Sequence, residues 1–224
     1  MRTRIFFVAI ITFCFLLIFA CLNTKIITLA PEELERWTIA GIGSVKVDKK
    51  NNQVLINEGV NSKGITIISP SSFGKKVIVR FKVKALSPNG VNIVFLSISS
   101  QNGEDKIAIP ENYQGDFSFW TQGQVQNYMF SFHTGFHQPN SWIKRNPGEQ
   151  TLCEKKDVVI EEIWYEIEVG RYGKKLWMKV DKQLVCEAED EQDLPGGQIA
   201  LRLRGPGDGS YSCLFKDLEI IKEK

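Results

Sequence analysis

The sequence has little of what marks a metal centre, a nucleic-acid binder or a helical protein. It holds only two histidines, His133 and His137, and both fall in one short segment. Its five cysteines occur in no short paired spacing, which excludes a zinc ribbon and a disulfide-dense miniprotein. An excess of one charge is lacking too: 28 Lys and Arg stand against 26 Asp and Glu, a formal net charge of +2. Arg2 and Arg4 belong to an N-terminal leader, and without them the remainder is neutral. A neutral chain has no global attraction for a polyanion, so no nucleic-acid partner is expected. Helical signals are scarce as well. Only Pro31 to Glu35 reads as a helix, with proline in the first turn and acids after it. What remains, 43% hydrophobic and 24% charged, is too apolar for a disordered chain.

The one long apolar run is Ile5 to Ala20, preceded by basic Met1-Arg2-Thr3-Arg4 and followed by Cys21. That order is the order of a secretory signal. At ~1.5 Å per residue the run spans about 24 Å as a helix, short of the ~30 Å hydrocarbon core. Ile18-Phe19-Ala20-Cys21 resembles a bacterial lipobox, which implies lipidation of Cys21 and a membrane anchor at the new N-terminus. Phe19 departs from the small residue usual at its position. A plain cleaved signal and an uncleaved anchor are the other two readings, and all three export the domain. The expected organisation is a signal peptide over 1–20, a lipidated N-terminus and tether over 21–30, and one domain over 31–224. Cys153, Cys186 and Cys213 then allow one disulfide and one thiol, or three buried thiols; spacing selects no pairing.

Residues 31–224 read as short strands cut by turns. Val77, Val79, Phe81 and Val83 alternate with Ile78, Arg80, Lys82 and Lys84, the pattern of a strand with one buried face. Further strands are expected over 45–48, 54–57, 91–99, 128–134, 164–169, 176–180, 184–186, 198–204 and 211–221. Many strands, frequent turns and almost no helix imply an all-β sandwich or barrel in one domain.

Several stretches carry a resemblance. Ile163-Trp164-Tyr165-Glu166-Ile167-Glu168-Val169 and Leu176-Trp177-Met178-Lys179-Val180-Asp181-Lys182-Gln183-Leu184-Val185 are followed by Gly197-Gln198-Ile199-Ala200-Leu201-Arg202 and Phe215-Lys216-Asp217-Leu218-Glu219-Ile220. This series resembles the concanavalin A-like lectin/glucanase superfamily, with Lys182 where its turn glycine is usual. Lys144-Arg145-Asn146-Pro147-Gly148 is similar to a bacterial branch associated with polysaccharide degradation; the keto-disaccharide hydrolase-like branch is the other relation. The likeness implies a two-sheet antiparallel jelly-roll sandwich that engages carbohydrate on a concave face. Fold alone does not fix function, since this sandwich hosts lectins, hydrolases and lyases.

The laminarinase-type Glu-x-Asp-x-x-Glu run is absent, which disfavours that two-carboxylate mechanism. Sugars need a flat aromatic for their C–H faces and forked polar groups for their hydroxyls. The segment from Trp120 to Glu149 is richest in both. Trp120 and Trp142 are the candidate platforms; Asn140, Arg145, Asn146 and His137 are candidate polar contacts. Tyr128, Phe130 and Phe132 share one strand face and Met129, Ser131 and His133 the other, so His133 is the candidate acid or base if there is catalysis. Arg80, Arg202 and Arg204 are expected to line the same hollow, where they favour an acidic sugar. No metal and no cofactor are expected, because Gly135 breaks the helix that zinc-type spacing of His133 and His137 requires. The expected partner is an oligo- or polysaccharide. The alternative is a non-catalytic cell-envelope module that binds a protein.

Overall fold

The computed structural model describes residues 24–134, 140–156 and 161–224, without the side chains of His133 and Thr134. Two antiparallel sheets form. The first runs in the order Gln183–Glu189 (β13), Lys175–Val180 (β12), Tyr165–Tyr172 (β11), Lys76–Ala85 (β6), Ser212–Glu223 (β15), Gln53–Glu58 (β4) and Gly43–Asp48 (β3). The second runs Gln150–Lys156 (β10), Asn140–Asn146 (β9), Val125–Thr134 (β8), Gly90–Ser100 (β7), Gly197–Arg204 (β14), Ile65–Phe73 (β5) and Thr38–Gly41 (β2). One-turn helices occur at Pro31–Leu34 (α1) and Ser118–Thr121 (α2). Strands make up 61% and helices 4% of the described residues, so the expectation of an all-β jelly-roll sandwich holds.

Between the sheets lies the main core. Val77, Val79, Phe81 and Val83 of β6 meet Tyr128, Phe130 and Phe132 of β8 in one buried cluster. Period-two alternation places the remaining side chains outside. β5, β7 and β14, however, are buried on both faces. Their outer side chains, among them Ile68, Ile93, Phe95 and Ala200, belong to a second apolar cluster. The 101–124 connection between β7 and β8 supplies its cover and acts as a strap across the second sheet. Phe119 and Trp120 join the cluster from the strap, with Ile107, Ile109, Tyr113 and Phe117 packed around them. Loops of this length in compact domains are uncommon and usually functional.

A disulfide joins Cys153 on β10 to Cys186 on β13, the edge strands of the two sheets, and Cys213 is a buried free thiol. Two expectations need correction. Residues 24–28, read as tether, form a strand (β1) that pairs with β15 from Thr24↔Glu223 to Thr28↔Glu219. Backbone hydrogen bonding along the free edge beyond β4 draws this segment into the sheet. Arg80 does not share a hollow with Arg202 and Arg204. It lies on β6 in the first sheet, and they lie on β14 in the second. Their outward faces therefore point away from each other on opposite sides of the molecule.

Candidate functional site

Alternation along β8 turns Met129 and Ser131 away from the core, onto the outer face of the second sheet. The pairing register extends that face across neighbouring strands. Ile93, Ser131 and Trp142 are successive partners on β7, β8 and β9, and Met129 lies opposite Lys144 one step along. Strands ~4.8 Å apart bring the outer two backbones of such a row within about 10 Å. Where the strap ends, a cleft of about 350 Å³ remains open. Val91, Ile93 and Met129 give it an apolar floor; Phe117 of the strap and Trp142 are its aromatic walls; Ser131, Lys144, Glu149 and Arg204 are its polar groups. The volume lies at the lower end of the ~300–1,000 Å³ typical of small-ligand sites.

The charged groups are held in place. Arg204 donates through Nη1 to Glu58 Oε1 at 2.7 Å and to the Ser62 carbonyl at 3.0 Å. The Glu58 side chain is 0% exposed, and its second oxygen accepts from the backbone N–H groups of Gly205 and Gly207. Arg204 is thus fixed from beneath while 37% of its side chain stays exposed. Lys144 Nζ pairs with Glu149 at 3.3 Å and sits 5.4 Å from the Trp142 ring centroid. The Ser131 hydroxyl is buried and has no hydrogen-bond partner among the described residues. Each cation in the cleft has one carboxylate partner, so the fixed charges cancel.

The structure separates the other residues singled out from the sequence. Trp120 is 0% exposed, stacked on Phe95 at 4.9 Å, with its indole N–H donating to Tyr113 at 2.6 Å. It is a core residue beneath the strap and has no face for a sugar. Arg202 is 1% exposed; it donates to the carbonyls of Lys63 and Gly115, both at 2.7 Å, and to Thr66. Its role is to fasten the strap, tying the Gly115 carbonyl there to the Lys63 carbonyl of the loop before β5. Arg145 alternates with Lys144 and points to the other face, where its Nε lies 3.3 Å from Asp190. Asn146 is fully buried and donates to Asn127. Asn140 donates to Glu154 across the β9–β10 hairpin at 2.6 Å. Arg80 pairs with Glu168 and Glu219. The backbone of His133 pairs with Val91, which in turn pairs with Arg204, so its position is in the cleft's upper row. Its side chain, His137 and Cys21 lie outside the described residues.

Phe117, Lys144, Glu149 and Ser131 were not singled out as site residues by sequence reasoning. Lys144 and Glu149 fell within the rich segment, but nothing local shows that the strap brings Phe117 against them. A larger depression, about 840 Å³, lies on the outer face of the first sheet, where Arg80, Lys82 and Lys179 meet Glu168, Asp217 and Glu219. Those charges neutralise one another in pairs. Its one described aromatic, Phe81, is 1% exposed, so this solvated sheet face offers no stacking surface and is not the candidate site. Among the described residues, no group of three or more His, Cys, Asp and Glu is gathered to hold a metal. The described cleft residues include one carboxylate, Glu149, so they do not assemble the carboxylate pair of a glycosidase.

No protein-family model matches the chain, and no curated protein does. Solved structures do. A Bacillus subtilis protein of unknown function with a galectin-like fold aligns with TM-score 0.72 at 12% identity, over 86% of this chain and 93% of that one. A lichenase, a β-1,3-1,4-glucanase from a mouse hindgut metagenome, aligns with TM-score 0.61 at 11% identity, over 89% and 100%. The carbohydrate-binding module CBM66 from Bacillus subtilis aligns with TM-score 0.55 at 13% identity, over 84% and 95%. At such identities the likeness establishes the fold: this chain is a concanavalin A-like jelly-roll sandwich.

Proposed function

We propose that this protein binds a saccharide in the cleft between Trp142 and Phe117, on the outer face of the second sheet. The observation that carries the reading is the pairing of two aromatic walls with a fixed guanidinium, an ammonium–carboxylate pair and a buried, unbonded hydroxyl. Aromatic faces take the C–H surface of a sugar ring, and the polar rim takes its hydroxyls. The cancelled charges favour a neutral sugar over an acidic one. CBM66 is by name a carbohydrate-binding module and the lichenase a β-1,3-1,4-glucanase, and the likeness to both supports the reading.

The protein is exported and held at the membrane by lipidated Cys21. The Cys153–Cys186 disulfide supports an oxidising compartment. Metabolic labelling with a fatty acid should mark the intact chain and fail to mark Cys21→Ser.

A glycan array followed by titration tests the binding reading. Wild type should bind a saccharide, and Trp142→Ala should weaken it about tenfold or more, near 1.4 kcal/mol. A wild-type chain that binds no neutral or acidic glycan overturns the proposal and favours a protein-binding envelope module. So does affinity unchanged in both Trp142→Ala and Arg204→Ala.

A further inference from the structure

The cleft is closed on two sides, and the closures are built rather than incidental. Toward β14 the strap covers the sheet, fastened by Arg202 through the Lys63 and Gly115 carbonyls. Along the strands, α2 closes the end nearest Glu149. The Gly148 N–H donates to the Thr121 carbonyl at 2.8 Å, tying the β9–β10 turn directly to the helix. Beneath that tie runs a buried relay. Asn127 donates to the Trp120 carbonyl at 2.8 Å, Asn146 donates to Asn127 at 2.9 Å, and Asn146 accepts from the Glu149 N–H at 3.2 Å. Asn127 and Asn146 are both 0% exposed. Buried amides bonded through both nitrogen and oxygen rigidify what they join.

A polysaccharide lying across the strands would have to leave through the strap, where Trp120 is stacked on Phe95. One lying along the strands would meet the α2–hairpin contact. A volume of about 350 Å³ gives room for about one or two sugar rings. We infer that the cleft is a blind pocket that receives the terminal residue of a glycan chain, and that it does not take internal segments of a polymer. This rests on the saccharide reading above and adds the ligand's class: a chain end, with the remaining residues projecting into solvent.

The two ideas separate in one experiment on the full chain. Neutral oligosaccharide ladders of two to about six residues, from β-glucan, xylan, starch and fructan sources, are titrated calorimetrically. Terminal recognition predicts that the ladder that binds does so with molar affinity constant within about threefold from the shortest to the longest member, since added residues touch nothing. Capping one end of that oligosaccharide should abolish binding, while capping the other should leave it intact. An affinity that climbs about tenfold or more with length, or that survives simultaneous capping of both ends, overturns terminal recognition and leaves saccharide binding standing. Failure of every ladder and of the array overturns both.

Discussion

Arg204 Nη1 lies 2.7 Å from the carboxylate of Glu58, a side chain with no exposed surface. The pair reaches from the molecule's interior to the wall of the cleft. If the cleft binds saccharide as proposed, Glu58 is a positioning residue: it holds the guanidinium that meets the ligand. Glu58→Gln keeps the shape and one acceptor oxygen but removes the charge. It should cost about 2–3 kcal/mol of stability, because a partly buried cation loses its counter-ion. A purely structural role would stop there. Positioning predicts that saccharide affinity also falls about tenfold in the folded variant, with Arg204→Lys falling similarly because an ammonium cannot fork. Denaturant titration and calorimetry on the same samples read both.

Trp142 and Trp120 should separate function from stability. Trp142→Ala removes a partly buried cleft wall and should lower the denaturation midpoint far less than a core substitution while weakening saccharide binding. Trp120→Ala empties the centre of the second apolar cluster, where the ring packs on Phe95 and Phe119. Its cost should be about 3–5 kcal/mol. Equal stability losses in the two variants would contradict their assignment.

The disulfide should matter more than the remaining thiol. Cys153 and Cys186, separated by 33 residues, close the edge between the two sheets. Loop-closure entropy for that length corresponds to about 3.5 kcal/mol, so Cys153→Ser should lower the midpoint markedly. Cys213 lies in the core, where burial pushes its thiol up to about 12. Peptide mapping of the folded, unreduced protein should show Cys153 linked to Cys186 and Cys213 unalkylated until denaturation.

Glu168 predicts an acid limb in stability. Burial alone would raise its pKa, but hydrogen bonds from Lys179, Arg80 and Trp177 outweigh burial and bring it to about 2. The folded value lies below the ordinary 4.5, so the stabilisation is fully present above about pH 5. It is lost as pH falls from there toward 2. The loss should be about 2–3 kcal/mol. Unfolding free energy measured between pH 6 and 2.5 should flatten in Glu168→Gln relative to wild type.

Much of the sandwich was legible in the chain. Strict alternation along Val77–Lys84 marked β6, with Val77, Val79, Phe81 and Val83 all buried, and the same logic oriented Tyr128, Phe130 and Phe132 inward on β8. Strands with weak patterns were missed. β9 carries Asn140, Lys144, Arg145 and Asn146 on alternating faces, which reads as loop until the pairing with β8 is known. β5 was missed because it is buried on both faces and so shows no alternation. Trp120 and Arg202 looked like ligand groups because composition records what a side chain can do and not what covers it.

The sequence by itself determined the class of fold, most strand positions and the side of β8 that faces away from the core, since period-two patterning depends only on neighbours along the chain. The tertiary structure decided which polar groups share a cleft. Trp142 and Arg204 line one cleft because β9, β8, β7 and β14 lie side by side, and Arg202 is withdrawn because the strap folds over it. Proximity of that kind comes from pairing order and a long connection closing over a sheet, and neither leaves a local trace in the residues it unites.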